Sequence, residues 1–271
     1  MSIKVIPFLN WAGGKRWLAT NHLEQFPKDY NRYIEPFLGS GAIYFALQPK
    51  HSVLSDINSD LIETYRAIRL YPQDVEDELK KHHDRHCKAY YYEIRSSAFS
   101  TIQERAARFI YLNRTCWNGL YRVNLNGKFN VPIGTKKNVI LPTDKYREIS
   151  KMLKSSELEA CDFERTISKA EDGDLLFIDP PYTVKHNNNA FVRYNEALFS
   201  WEDQVRLHRC LQAAKKRGAF IVATNAHHKS IEKLYSSDLA STIVNRHSGL
   251  CADARRRGYI EEFIFTNVKQ Q

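Results

Sequence analysis

Apolar residues fall along this chain in two patterns. Short stretches with little polar alternation occur at Tyr33-Ile34-Glu35, Ser52-Val53-Leu54-Ser55, Leu175-Leu176-Phe177-Ile178, Ala219-Phe220-Ile221-Val222-Ala223, Ser241-Thr242-Ile243-Val244 and Glu262-Phe263-Ile264-Phe265. Strands covered on both faces need such runs, so each is predicted as a buried strand, the second ending in Asp56. Elsewhere the apolar positions recur at helical spacing: Leu61, Ile62, Tyr65 and Ile68, then Ala106, Phe109, Ile110 and Leu112. From Ser59 this helical pattern continues for about sixty residues and interrupts the sheet until Leu175. Further helices are predicted from Ala42 to Leu47, Trp201 to Arg217 and His228 to Tyr235. Strands alternating with helices predict an α/β, doubly wound, Rossmann-like sheet carrying a mostly helical insertion.

The insertion contains one stretch of another kind. Tyr121 to Val131 alternates polar and apolar residues around Asn126-Gly127, the strongest short-range signal for a β-hairpin. A basic hairpin on a helical insert has the size to enter a major groove; covering the edge of a core is the other use of such a hairpin. The boundaries expected are a discontinuous catalytic domain, residues 1–56 and 157–271, and an inserted domain, residues 57–156.

Charge separates the two parts. The 271-residue chain has a formal net charge of +9. Residues 57–156 hold 18 Lys and Arg against 11 Asp and Glu, so seven of those charges lie in the insertion. A polyanion is the partner this favours. No stretch reaches the roughly 18 apolar residues of a membrane span, and the opening segment is too short for a secretory leader, so a cytoplasmic, membrane-free protein is expected. The five cysteines, Cys87, Cys116, Cys161, Cys210 and Cys251, are scattered and are read as reduced thiols. No metal-ligand spacing occurs. His82, His83 and His86 lie in a charged helical stretch and are read as solvated, and His227-His228 as a loop pair at a helix start.

Asp179-Pro180-Pro181-Tyr182 directly follows the run Leu175–Ile178. This is the carboxyl end of a strand, where open α/β sheets bind ligands. The four residues suit an exocyclic aromatic amine such as adenine N6. Such an amine is a poor nucleophile because its lone pair is delocalised into the ring. A carboxylate (Asp179) and a carbonyl (Pro180) accepting its two hydrogens aim that lone pair at a methyl donor. Two prolines remove amide donors, and the Tyr182 ring offers a stacking plane for a base taken out of its duplex. Asp-Pro-Pro also ends strands without any catalytic role. Gly39 and Gly41 open the first βα turn, Glu35 can bind a positively charged ligand end, and Asp56 ends the next strand, where an acid can accept ribose hydroxyls. A lone Gly-x-Gly serves other nucleotides or a plain turn equally well.

Taken in order, Asn10-Trp11-Ala12-Gly13-Gly14-Lys15, Glu35-Pro36-Phe37-Leu38-Gly39-Ser40-Gly41-Ala42, Ser55-Asp56-Ile57-Asn58 and Asp179-Pro180-Pro181-Tyr182 closely resemble the Dam-type, D12-class DNA adenine methyltransferases. Asn118-Gly119-Leu120-Tyr121-Arg122, Phe129-Asn130-Val131-Pro132 and Glu261-Glu262-Phe263-Ile264 extend the resemblance over nearly the whole chain. It implies S-adenosyl-L-methionine (AdoMet) as cofactor, S-adenosyl-L-homocysteine as product, no metal, and double-stranded DNA as partner. It implies cofactor contacts at Trp11, Lys15, Glu35, Phe37, Gly39, Gly41, Asp56 and Asp179, with Lys15 meeting the cofactor carboxylate. Asp162 and Phe163 are softer carry-overs, and core packing is an equal reading of Phe163. The insertion becomes a target-recognition domain. There Arg122 falls on the guanine-reading arginine and Leu120 beside it is an apolar wedge. Asn118 and Asn124 bond bases or phosphates, and Lys128, Lys136 and Lys137 hold the backbone or are merely solvated. The family target is GATC. Where the family commonly has an arginine, this chain has Thr135, which touches affinity more than sequence choice. A cognate restriction endonuclease and a monomer or weak dimer on DNA fit the resemblance. A non-catalytic DNA-binding regulator on the same fold, or a different recognition sequence, are the alternatives.

Overall fold

The computed structural model describes residues 5–124, 127–183, 199–247 and 259–269. Seven strands, β1 (Tyr33–Glu35), β2 (Ser52–Asp56), β3 (Ser156–Ala160), β4 (Leu175–Ile178), β5 (Phe220–Ala226), β6 (Ala240–His247) and β7 (Tyr259–Thr266), form one sheet in the order β3-β2-β1-β4-β5-β7-β6. The β2-β1-β4-β5 ladder is parallel, with Leu175 beside both Tyr33 and Phe220, while β7 runs antiparallel to β5 and β6. This is the Rossmann-like α/β sheet expected from the runs of apolar residues.

The structure differs from the sequence expectation at the sheet's two ends. β3 was not expected: its buried and exposed residues alternate along Ser156-Glu157-Leu158-Glu159-Ala160, and its single large apolar residue gives no run. β6 was expected to be covered on both faces. It is instead the last strand in the order, with Ile243 50% exposed and only Val244 buried among residues 240–245. Helix α1 (Arg16–Asn21) was also not anticipated.

By contact the chain divides into two compact units, Met1–Arg16, Leu38–Gln48, Asp56–Ala160 and Trp17–Phe37, Pro49–Ser55, Cys161–Gln271. The second unit has a core of Ile34, Val53, Leu176, Ile178, Ile221, Ala223, Phe263 and Phe265 from the sheet. Helices α8 (Phe163–Ile167), α9 (Trp201–Lys216) and α10 (Lys229–Tyr235) cover it with Phe163, Ile167, Leu207, Leu211, Ile231 and Tyr235. Helix α9 starts on a capping box in which Ser200 and Asp203 each satisfy the other's backbone N–H. His228 caps α10, its ring accepting from the Ser230 N–H, so it is a helix terminus rather than a loop residue.

The first unit contains α2 (Ala42–Leu47), α3 (Ser59–Leu70), α4 (Pro72–Asp84), α5 (Lys88–Ser96), α6 (Ile102–Thr115) and α7 (Tyr146–Leu153). Helix α6 packs on α3 and α4. Asn58 caps α3, and Thr101 with Glu104 forms a capping box on α6. His82 corrects the sequence reading. It is 4% exposed, its Nδ1 is 2.8 Å from the Tyr90 hydroxyl, and its ring lies on Tyr111. Burial, with Arg85 and Lys81 nearby, pushes its pKa down to about 4, so it packs as a neutral aromatic. His82 sits on the buried stripe of α4 with Val75 and Leu79, a position its charged neighbours concealed.

The expected hairpin is present as an antiparallel bridge from Val123 to Phe129. The Asn124 N–H donates to the Lys128 carbonyl and the Gly127 N–H to the Asn124 carbonyl, with Gly127 at φ +70°. Leu125 and Asn126, and with them the expected Asn-Gly turn, lie outside the described residues.

Candidate active site

In the second unit, Asp179 follows β4 by one residue, so it stands at the strand's carboxyl end and half-buried. Because Ile178 is in register with Ala223, the next residues on each strand, Asp179 and Thr224, are also neighbours. The Thr224 hydroxyl donates to Asp179 Oδ1 at 2.8 Å. Pro180 is buried and Pro181 half-buried. The Tyr182 hydroxyl donates to Glu262 Oε2 at 2.7 Å, and Glu262 is fully buried on β7 opposite Ala226 of β5. Burial, followed by the negative charges of Asp179 and Glu262, holds the Tyr182 phenol well above its ordinary pKa, so it is a neutral hydrogen-bond donor.

Nearer β1, Glu35 is 2% exposed and accepts from the Tyr33 hydroxyl at 2.9 Å. The Phe37 ring stacks on Phe163 at 5.4 Å and 28°. Asp162 caps α8 and forms a two-point pair with Arg206 at 2.7 and 2.8 Å, whose hydrogen bonds hold the carboxyl below its usual range. The Arg206 guanidinium also lies 4.1 Å from the Phe163 ring centre and bonds Glu164 and Asp203. Phe163 is 5% exposed, so its ring belongs to the core as much as to any ligand surface.

In the first unit, the turn before α2 places Gly39 at φ +46° and Gly41 at φ +64°. A Cβ on Gly39 would stand 2.7 Å from the Trp11 indole, so only glycine lets this turn lie against that ring. The Gly39 N–H donates to Asp56 Oδ2 and the Asn58 N–H to Asp56 Oδ1, both at 3.0 Å. The Ile57 N–H is a third backbone donor to the same carboxylate. Lys15 is 3% exposed and donates one of its three N–H bonds to the Gly13 carbonyl at 2.8 Å.

The polar loop of the same unit begins at the end of α6. Asn118 is exposed in the left-handed region (φ 55°), and Leu120 is half-buried. Tyr121 stacks on Trp11 and donates its hydroxyl to Asp60 at 2.8 Å. Arg122 is half-buried, and its Nε donates to the Asn130 side chain at 3.0 Å. Asn124, Lys128, Lys136 and Lys137 are exposed. The Asn124 side chain accepts from the Lys128 N–H. Within this unit the structure thus places Trp11 against both Gly39 and Tyr121, next to Arg122.

Comparison with known proteins decides what this arrangement belongs to. A family profile described as D12 class N6 adenine-specific DNA methyltransferase matches residues 11–248. The chain is 37% identical over 276 residues to a type II methyltransferase of Lactococcus lactis subsp. cremoris, covering 98% of this chain and 96% of that protein. The chain belongs to the D12 class of N6 adenine-specific DNA methyltransferases. It is also 32% identical to a type II methyltransferase of Methanocaldococcus jannaschii, over 98% of this chain and all of that protein. With a DNA adenine methylase of Escherichia coli it shares 26% identity, over 95% and 93% of the two chains. As a D12-class enzyme it is an adenine-specific DNA methyltransferase, and its family uses AdoMet.

Sequence reasoning passed over several residues of this methyltransferase that the structure puts beside the motif positions. Thr224 lies one residue beyond the predicted run Ala219–Ala223, and Arg206 lay unremarked within a predicted helix. Glu262 was quoted in a motif but given no role; its signal is a carboxylate at the head of an apolar strand run. Trp117, 53% exposed beside Asn118, is a large aromatic on the surface that helical periodicity does not account for.

Proposed function

We propose that this enzyme transfers the AdoMet methyl group to N6 of an adenine extruded from double-stranded DNA, within GATC. The observation that carries the reading is the Asp179-Pro180-Pro181-Tyr182 clamp at the end of β4, with Asp179 and Tyr182 each held by a named partner on a neighbouring strand. AdoMet supplies an electrophilic methyl group on a sulfonium, so no covalent enzyme intermediate is needed.

The residues present fit that cofactor. Asp56, at the end of β2, accepts from the ribose hydroxyls, and the turn at Gly39 and Gly41 allows close backbone approach. Glu35 meets the ammonium of the amino-acid end, Lys15 its carboxylate, and Trp11, Phe37, Asp162 and Phe163 complete the contacts. On the substrate side Asp179 and the Pro180 carbonyl accept the two N6 hydrogens and localise the lone pair, while Tyr182 stacks on the base. Asp179 then takes the proton that the methylated nitrogen releases.

Residues 57–156 serve as the target-recognition domain. Arg122 reads guanine, Leu120 is the wedge, Asn118 and Asn124 bond bases or phosphates, and Lys128, Lys136 and Lys137 hold the backbone. A monomer or weak dimer on DNA, acting in the cytoplasm alongside a cognate restriction endonuclease, fits this role.

The test is methyl transfer from labelled AdoMet to unmethylated DNA, followed by mapping of the modified adenines. Label confined to GATC is expected. Label in another motif keeps the chemistry and discards the specificity; no label on any DNA discards the catalytic reading.

A further inference from the structure

The two side chains that do the proposed chemistry are each tied to a strand residue that no motif assigns. Thr224 is fully buried on β5 and donates its hydroxyl to Asp179 Oδ1 at 2.8 Å. Glu262 is fully buried on β7 and accepts from the Tyr182 hydroxyl at 2.7 Å. The register joins them: Thr224 pairs with Ile264 and Ala226 with Glu262, so they lie two rungs apart on one face of the same antiparallel ladder.

A carboxylate on a single χ1–χ2 axis can turn either oxygen toward a substrate. Fixing Oδ1 on Thr224 restricts that freedom. A tyrosine ring swings about χ1; a fixed hydroxyl, which lies on the χ2 axis, holds the far end of the ring in place. Binding of DNA or AdoMet does not require either restriction, but attack along the axis of the methyl group does, because misorientation by a fraction of an ångström is costly in rate.

We propose that Thr224 and Glu262 are positioning residues for the methyl transfer, Thr224 aiming the Asp179 carboxylate and Glu262 fixing where the Tyr182 ring stands. The inference rests on the clamp reading above. Neither residue touches the reacting atoms.

The experiment measures kcat and both KM values on unmethylated DNA for Thr224→Val, Thr224→Ser, Glu262→Met and Glu262→Gln, with Asp179→Ala as reference. Valine keeps the shape and deletes the donor; serine restores it. Losing one hydrogen bond to a charged group lowers kcat about 10- to 100-fold in Thr224→Val. Both KM values stay within about twofold, because only the transition state needs the aim. Thr224→Ser recovers kcat to within about threefold of the parent. Methionine replaces a buried charge by an apolar side chain of similar length, a change that buried positions often accept, so Glu262→Met folds and loses kcat about tenfold, while Glu262→Gln, still an acceptor, does not.

Equal kcat in Thr224→Val and the parent overturns the proposal, as does a loss that serine fails to restore or one appearing equally in KM. If Asp179→Ala retains full turnover, the clamp reading itself fails; if Asp179→Ala is inactive and the valine and methionine variants are fully active, only the positioning role does. Thermal midpoints of all variants separate misfolding from misaim, and Thr224→Ser carries the comparison should Thr224→Val not fold: its kcat must then exceed that of Thr224→Ala by about tenfold.

Discussion

Arg114 is among the largest fully buried side chains of the described residues, 1% exposed, and its removal should be costly in a calculable way. Its guanidinium donates to the Phe8 carbonyl from Nε (3.1 Å) and Nη2 (2.8 Å), and to the Val139 carbonyl from Nη1 (2.6 Å). It also forms a two-point pair with Asp144 at 2.6 and 2.7 Å. Arg114→Met keeps much of the apolar stem but leaves Asp144, whose side chain is 8% exposed, as a buried charge. Breaking a buried pair from one side costs about 3–5 kcal/mol, and the two orphaned carbonyls set the expectation toward the upper end, about 4. For a chain of this size that corresponds to a fall in thermal midpoint of about 8–16 °C. Because Asp144 also accepts from the Leu141 N–H, removing it too does not restore everything. Even so, Arg114→Met with Asp144→Leu should be more stable than Arg114→Met alone, since the stranded charge is gone. Circular dichroism melts of the parent, both single variants and the double variant close the cycle. A drop below about 2 °C in Arg114→Met, or a double variant less stable than the single one, refutes the view that charge burial dominates here. A functional readout accompanies it: Phe8 lies three residues before Trp11, so AdoMet affinity should fall with the same variant.

Three further outcomes follow from the geometry. Burial holds the Asp56 carboxyl above its ordinary pKa despite the N–H groups it accepts, so the folded protein takes up this proton before the unfolded chain does. That group therefore adds stability as pH falls through its raised value and subtracts it above. AdoMet binding should have the opposite sign if the ionised Asp56 carboxylate accepts from the ribose as proposed; affinity measured by calorimetry from pH 7 downward should decline before the ordinary Asp range of about 4 is reached, and a decline equal in Asp56→Asn excludes this cause. Arg122→Ala should cost about 1–3 kcal/mol of discrimination at one guanine, whereas Lys136→Ala with Lys137→Ala should weaken all sequences alike and flatten the salt slope by about one to two units; binding titrations at several salt concentrations tell the two apart. Arg206→Met should raise the AdoMet KM several-fold with little change in kcat, because Asp162 and the Phe37–Phe163 stack lose their anchor; a kcat effect without a KM effect contradicts this.

What the sequence disclosed depended on whether a residue's partner was near in the chain or far. The strands β1, β2, β4 and β5 were legible because burial on both faces demands apolar runs, and Asp179 was legible because its motif is contiguous. β3 was not, since an edge strand needs only one side apolar and Leu158 alone supplies it. His82 was misjudged from its charged neighbours, because its burial is set by Tyr90 and Tyr111. Thr224 illustrates the limit most clearly. A threonine in an apolar strand reads as ordinary β-propensity, and the carboxylate that gives it meaning lies 45 residues earlier.

The reversed strand β7 explains how such distant residues come to serve the clamp. In a parallel sheet the carboxyl ends of the strands carry the ligand site, and loops must supply anything beyond them. Here β7 runs against β5, so the residues entering β7 lie beside those leaving β5, with Glu262 opposite Ala226. A strand residue can therefore reach the carboxyl edge of β5 from a strand paired on both sides, with Ala226 and Val244 as its register partners. Loops are the more mobile alternative. Placing Glu262 on the middle strand of β5-β7-β6 gives the Tyr182 hydroxyl an acceptor whose position is set by the sheet, which is the physical reason a carboxylate can be kept fully buried at the head of an otherwise apolar strand.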